Sequence, residues 1–206
     1  MATTEYNDLE RQIIETAQQL FIEKGFAGTS MSDIAATVGI NRPTLHYYFR
    51  TKDKMFKAVF GSIVISLMPK IHDIIKLDIP FVDRMGMVLD EYIELFTKEP
   101  YLPKFICGEI QRDMNHLLEV AKELQFEAAL SLVKDTLLAE MEAGKIKKVP
   151  LPMVFLTFYS LLTYPFLVRN LITTLFLDNE EDFTSFLQEW KQHIITELTN
   201  LLSNDK

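Results

Sequence analysis

Between Ser30 and Phe49 helix start and stop signals stand so close together that only two very short helices fit. Ser30-Met31-Ser32-Asp33 has the S-x-x-D form of a capping box, in which hydroxyl and carboxylate each accept a backbone N–H of the first turn. Ile34, Ala35 and Val38 follow on one face, and Gly39 supplies the stop. After Ile40-Asn41, Pro43 suits a first helical turn, where its missing N–H would have had no partner. The next helix runs from about Arg42 to Phe49. Leu45 and Phe49 are four apart and share a face, the natural core pair against Ile34 and Val38. Arg42, Pro43, His46 and Tyr47 occupy the other face, whose cation, imidazole and phenol can donate hydrogen bonds to phosphates or base edges. Two short helices around a tight Gly-containing turn match a helix-turn-helix.

The rest of the chain is helical in period. Leu9, Ile13, Ala17, Leu20 and Phe21 form one apolar stripe that ends at Lys24-Gly25, which predicts a first helix from Asn7 to Lys24 as the third wall of a small core. Thr51-Lys52-Asp53 opens a longer helix through Phe56, Val59, Phe60, Ile63 and Leu67, with a kink expected at Pro69. Pro80, Pro100, Pro103, Gly144, Pro150, Pro152 and Asp178-Asn179 then delimit helices near 81–98, 102–113, 117–143, 151–176 and 180–203. No convincing alternating strand lies between them. The expected fold is all-α, with an N-terminal three-helix helix-turn-helix (homeodomain-like) unit in residues 1–52 and a larger helical body in 53–206.

A chain of 206 residues with 48% hydrophobic content can bury a core without staples. The single cysteine, Cys107, cannot form an intrachain disulfide, and MATTEYNDLE lacks the make-up of a signal peptide, so a reducing cytoplasm is expected. Leu151 to Val168 is 18 residues without a formal charge. Pro152, Pro165, Thr157, Ser160 and Thr163 interrupt it, Arg169 follows at once and no basic cluster flanks it, so a buried or subunit-facing helix is expected rather than a membrane span.

The net charge of -8 is unevenly placed. Residues 40–57 hold Arg42, Arg50, Lys52, Lys54 and Lys57 against Asp53 alone, whereas the body from residue 58 onward carries the whole acidic excess. The positive charge therefore sits at the second helix of the pair and just after it. Lys52 falls in the first turn of the following helix, where free N–H groups and an ammonium both attract phosphate. An acidic protein can bind DNA if its contact edge is basic, as this one is expected to be.

The stretch GFAGTSMSDIAATVGINRPTLHYYFRTKDKMFKAVF, Gly25 to Phe60, resembles the DNA-binding signature of the TetR family of bacterial transcriptional regulators, and the first helix with Ala17, Phe21 and Gly25-Phe26 also fits. The close resemblance covers roughly residues 7–60. It implies that Thr29 or Ser30 contacts the DNA backbone, that Thr44 and His46 touch bases or phosphates, and that Tyr47 and Lys52 hold phosphates. Two positions depart from the family pattern: a phenol is commoner at His46, and His is frequent at Tyr48. The resemblance also implies a palindromic operator, a repressor more often than an activator, a small-molecule effector and a homodimer formed by the last two helices. The 53–206 body would then be a ligand-binding and dimerisation domain.

For the dimer, the uncharged 151–168 segment has more apolar surface than one side of a monomer needs, and Phe183, Phe186, Leu187, Trp190, Ile194, Leu198 and Leu201 form a stripe in the last helix. For the effector, the candidate contacts are Met68, Met85, Phe105, Cys107, Met114, Phe126, Phe155 and Tyr159, which favour an apolar or aromatic ligand. Glu109, Arg112 and Arg169 are candidates for polar selectivity. No cofactor and no metal are expected: His46, His72, His116 and His193 show no ligating spacing, and no nucleotide or nucleophile fingerprint occurs. Two rival readings are a helical ligand-binding or adaptor protein that has lost DNA binding, and a small helical enzyme using a carboxylate such as Glu109 or Asp113, which offers no second catalytic partner.

Overall fold

The computed structural model describes residues 7–124, 126–177 and 180–204, and these form helices with no strand among the described residues. In chain order the helices are α1 (Asp8–Gly28), α2 (Met31–Val38), α3 (Arg42–Tyr48), α4 (Lys52–Ile75), α5 (Phe81–Lys98), α6 (Leu102–Arg112), α7 (Met114–Glu123), α8 (Phe126–Glu142), α9 (Leu151–Leu167), α10 (Arg169–Phe176) and α11 (Glu180–Leu202). The fold is all-α. The break expected at Asp178-Asn179 lies outside the described residues.

The helix-turn-helix is built by the signals read from the sequence. Asn7 caps α1 by accepting from the Glu10 N–H at 2.8 Å. Gly25 sits at φ +75°, a backbone closed to L side chains without strain, and breaks α1 after Lys24. The Ser30–Asp33 capping box is complete on both sides. Gly39, at φ +81°, ends α2 by donating to Ala35 and Ala36 carbonyls. Asn41 then caps α3 by accepting from the Thr44 N–H at 2.8 Å. Ile13, Ala17 and Phe21 of α1, Ile34 of α2, Leu45 of α3 and Met55, Phe56 and Val59 of α4 are completely buried, so the two short helices share one core with α1 and the start of α4.

By packing, the chain forms two compact units: Met1–Ser66 with Lys104–Leu124, and Leu67–Pro103 with Gln125–Lys206. This line differs from the functional division expected after Lys52, because α4 contributes to both units and α6 and α7 pack with the helix-turn-helix. Phe105 of α6 meets the ring of Phe56 at 5.9 Å, and His116 of α7 meets the rings of Phe26 and Phe56 at 5.8 and 5.1 Å.

In the second unit α5 packs against α9 and α11, and Phe81, Val88, Leu89, Ile93 and Phe96 are its buried face. Arg84 is buried as well; its guanidinium donates to the Ile75 and Leu77 carbonyls at the end of α4 and pairs with Glu140 of α8. Two helices expected as single pieces are divided. The 117–143 segment is α7 and α8, and the 151–176 segment is α9 and α10, bent by 66°. Pro165 has no N–H for the Leu161 carbonyl four residues back, and the Trp190 indole of α11 donates to that carbonyl at 2.8 Å instead. The side chain that replaces the missing bond thus ties α11 to α9.

By length and composition α4 is the one described helix apolar enough to cross a membrane, and α9 with α10 qualifies only as a bent pair. Both carry buried core faces, including Phe56, Val59 and Ile71 in α4 and Val154, Phe158 and Leu162 in α9. That is the pattern of core helices.

Candidate functional site

The outward surface of α3 begins with its inward one. Leu45 (0% exposed) and Phe49 (6%) lock the helix to the core, which forces the side chains between them outward. Tyr47 is 83% exposed. Arg42 and Pro43 are exposed, and Thr44 and His46 are half-buried beside them. The Arg42 Nε donates to His46 Nε2 at 3.2 Å while His46 Nδ1 lies 3.2 Å from the Arg50 carbonyl oxygen. Both contacts are satisfied together by the neutral tautomer with its proton on Nδ1. The Thr44 hydroxyl donates to the Asn41 side chain at 2.8 Å. Tyr48 turns the other way: its hydroxyl takes the Asn7 amide at 3.5 Å, and its ring meets Tyr47 edge-on at 5.3 Å.

Ser30 is exposed, with its hydroxyl donating to Asp33 at 2.6 Å, and these bonds hold the Asp33 carboxyl below its ordinary pKa of 3.8. Thr29 corrects the sequence expectation. It is 1% exposed, and its hydroxyl donates to the Leu20 and Gly25 carbonyls at 3.0 Å each, closing the break in α1. Its side chain is a structural lock rather than a surface for DNA.

Lys52 opens α4, whose N-terminus Thr51 caps by accepting from the Lys54 N–H at 3.1 Å. The Lys52 ammonium lies 4.3 Å from the centre of the Phe26 ring and 3.5 Å from the Ala27 carbonyl. Arg112 stacks on the same ring at 4.4 Å, and Glu109, itself 4% exposed, pairs with Arg112 at 2.7 Å. Partial burial, followed by repulsion from Arg112, lowers the Lys52 pKa from 10.5. Phe26 therefore gathers two cations behind the helix-turn-helix, an arrangement that joins residues 26, 52 and 112 and has no sequence signal.

The second unit contains an apolar cavity of about 50 Å³. Of the eight residues expected to touch a ligand, Met68, Met85, Phe126, Phe155 and Tyr159 line it, together with Phe81, Val88, Tyr92, Val133 and Phe158. Phe105, Cys107 and Met114 do not: they belong to α6 and α7 of the first unit, where Phe105 packs on Phe56, Cys107 is half-buried and Met114 is 46% exposed. Glu109 is paired with Arg112, which stacks on Phe26, and Arg169 lies over the Phe183 ring at 4.9 Å. None of the three lines the cavity. Among its described lining residues the side-chain oxygens are the hydroxyls of Tyr92 and Tyr159, 3.1 Å apart. Burial pushes the Tyr92 phenol well above its ordinary value and raises Tyr159 as well.

Comparison with known proteins places this geometry. Residues 13–59, from α1 into α4, match the family described as bacterial regulatory proteins, tetR family. The helix-turn-helix of this chain is thus similar to that of the TetR family. The IcaR protein of Staphylococcus epidermidis, a negative transcriptional regulator of the biofilm operon icaADBC, is 28% identical over 126 residues, covering 58% of this chain and 66% of its own length. Solved structures share the fold. The fatty acid degradation regulator FadR of Bacillus halodurans superposes with TM-score 0.70 at 17% identity, over 93% of this chain and 97% of that one. FadR of Bacillus subtilis, in complex with stearoyl-CoA, superposes with TM-score 0.68 at 16% identity, over 90% and 97%.

One further surface of the second unit stands out. Met153 (52% exposed), Leu156 (69%), Tyr164 (61%) and Leu167 (41%) follow one another at helical spacing on α9 and face away from the core. The stripe expected in the last helix behaves differently: Phe183, Leu187, Ile194 and Leu198 are buried within the same chain, and Phe186, Trp190 and Leu201 are half-buried. The two carboxylates considered for catalysis have structural partners, Glu109 on Arg112 and Asp113 as the cap of α7.

Proposed function

We propose that this chain is a TetR-family transcriptional repressor that binds a palindromic operator as a homodimer and leaves it when a small, largely apolar ligand enters the cavity of the second unit. The observation that carries the DNA-binding reading is the outward face of α3, where Tyr47 is 83% exposed beside Arg42 on a helix capped at its start and anchored by Leu45. Arg42, Pro43, Thr44, His46 and Tyr47 face the duplex, and Ser30 contacts phosphate at the edge. Lys52 holds phosphate by swinging its ammonium off the Phe26 ring, a motion that the stem of a lysine allows. The negative regulation named for IcaR supports repression rather than activation. A cytoplasmic location follows from that role, and no catalytic role is assigned.

Dimerisation through α9 and α11 is supported by the exposed α9 stripe, whose apolar area and lack of charge suit the centre of a subunit interface. Two-fold symmetry places two recognition helices about one turn of DNA apart, or a multiple of it. Coupling is supported by α4: the helix that begins at Lys52 also supplies Met68, Ile71 and Ile75 to the cavity lining. A ligand releases the operator only if it binds the DNA-incompetent arrangement more tightly. Stearoyl-CoA, bound by the Bacillus subtilis protein of similar fold, matches this cavity poorly, because none of the described lining residues is a cation that could meet the phosphates.

Footprinting of the full-length protein on DNA upstream of its own gene tests this reading. Protection of an inverted repeat is the expected result. Lys52→Ala weakens binding to all sequences alike, whereas Thr44→Ala or His46→Ala changes preference among operator variants, by about 1–3 kcal/mol for each base-reading hydrogen-bond pair removed. Equal, sequence-blind losses from all three substitutions contradict the roles assigned to Thr44 and His46.

A further inference from the structure

We propose that the cavity of the second unit selects an uncharged aromatic ligand bearing one hydrogen-bonding oxygen, a phenol, aryl ketone or aryl alcohol, and that Tyr92 and Tyr159 read that oxygen. This rests on the effector reading above and narrows it to a chemical class.

The lining excludes charge. No Lys, Arg, His, Asp or Glu is among the described residues that line the cavity. A carboxylate or phosphate placed there would lose its water and gain no cation, which is costly in an apolar surround. The two phenols supply the polarity that remains, and their arrangement sets what they accept. Each carries one O–H, and the 3.1 Å contact between them uses a single proton, whichever phenol donates. The other proton is left to be donated, so the pair presents one donor to an incoming oxygen while its own lone pairs can accept from a ligand hydroxyl. Burial keeps both phenols in the neutral form that can donate.

The rings around them favour an aromatic skeleton. Phe155 stacks parallel to Tyr159 at 6.1 Å, and Phe158 meets Tyr92 and Tyr159 edge-on at 6.1 and 5.1 Å. An added ring can join this set by the same offset and edge contacts. Size requires the cavity to open: 50 Å³ is below the ~150 Å³ that holds a benzene ring. Two features provide for that. Met68 and Met85 are unbranched wall residues that can rotate aside, and Ala129, Leu130 and Val133 of α8 line the cavity without any of them being buried. The first half of α8 is thus the wall with least packing to disrupt, since only Leu137 and Met141, further along, are buried in it.

A matched series on one skeleton tests the assignment in the full-length protein without DNA: 2-naphthol, 2-methylnaphthalene and 2-naphthoate, titrated by calorimetry at neutral pH. The naphthol binds roughly 3- to 10-fold more tightly than the methyl compound, the ratio for one net hydrogen bond, and the naphthoate roughly 10-fold or more weakly than the naphthol. Tyr159→Phe and Tyr92→Phe keep the rings but each leaves one O–H free to meet the ligand, so it is the double variant that abolishes the naphthol advantage while leaving methylnaphthalene affinity unchanged. The proposal is overturned if the naphthoate binds as tightly as the naphthol, if the advantage survives in the double variant, or if none of the three binds. Operator release is measured in a separate arm. An upheld ranking with no DNA binding at all would remove the regulator reading and leave the ligand class standing; DNA binding with a reversed ranking would do the opposite.

Discussion

Tyr47 and Tyr48 are the same residue one step apart on α3, and they do opposite work. A helix turns successive side chains by about 100°, so Leu45 and Phe49 fix Tyr47 outward, 83% exposed, while Tyr48 turns back to Asn7 at the start of α1. Tyr92 and Tyr159 are a second pair, separated in sequence and joined by a hydrogen bond inside the body. Their raised pKa has a measurable consequence. The unfolded chain releases these phenolic protons near the ordinary value of 10.0, whereas the folded chain retains them to higher pH. Stability is therefore intact below about pH 10 and falls as pH rises towards the folded-state values. Thermal melts from pH 9 to 11 should show that fall, and Tyr92→Phe should make it shallower; an equal slope in the variant would refute the burial account. Among single residues, Leu45, Phe49 and Tyr47 were legible because period alone orients them. Tyr48 and Thr29 were not, since Tyr48 depends on Asn7 and Thr29 on carbonyls of α1, contacts that no local pattern encodes.

The elements were legible where punctuation is chemical. Ser30–Asp33, Gly39, Asn41-Arg42-Pro43 and Gly25 each impose a cap, a stop or a left-handed backbone, and the helices around them begin and end where those residues require. The α7–α8 break carries no Gly or Pro at all, and α7 begins at Met114 under the Asp113 cap, earlier than the apolar pattern indicated. Leu124, at the end of α7, packs so close to Gly61 that an added Cβ there would stand 3.1 Å from its side chain. The α9–α10 bend did carry a signal, Pro165, but its resolution lies in α11, where Trp190 satisfies the Leu161 carbonyl. Replacing Trp190 with Phe keeps a ring and leaves that carbonyl without its donor. Urea denaturation should then register a loss of about 1–3 kcal/mol, with an unchanged midpoint showing that the indole bond contributes nothing.

At the scale of the molecule, the acidic sequence and its basic edge belong to different parts of one chain: residues 40–57 carry the positive charge, and the excess of acid lies beyond them. The helix-turn-helix was readable because its short elements each carry their own signals. The ligand cavity was readable only in part. Met68, Met85, Phe126, Phe155 and Tyr159 were found by residue type, but residue type did not separate them from Phe105, Cys107 and Met114, which pack in the other unit, nor did it reveal Tyr92 as the partner of Tyr159. The α9 stripe shows the same limit, because the apolar excess was visible while the choice of Met153, Leu156, Tyr164 and Leu167 as the outward set needed the packing of α11. The central claim is that a dimer joined through that stripe presents two α3 faces to DNA. Fluorescence anisotropy of a labelled duplex carrying the protected upstream sequence, at about 50 and 200 mM salt, tests it most directly when wild type is compared with Leu156→Glu. Wild type should bind as a dimer and weaken roughly 10³-fold or more in affinity between the two salt concentrations, and Leu156→Glu should sediment as a monomer and bind far more weakly. Absence of binding by the wild type at low salt, or full-strength binding by a monomeric variant, would contradict the account.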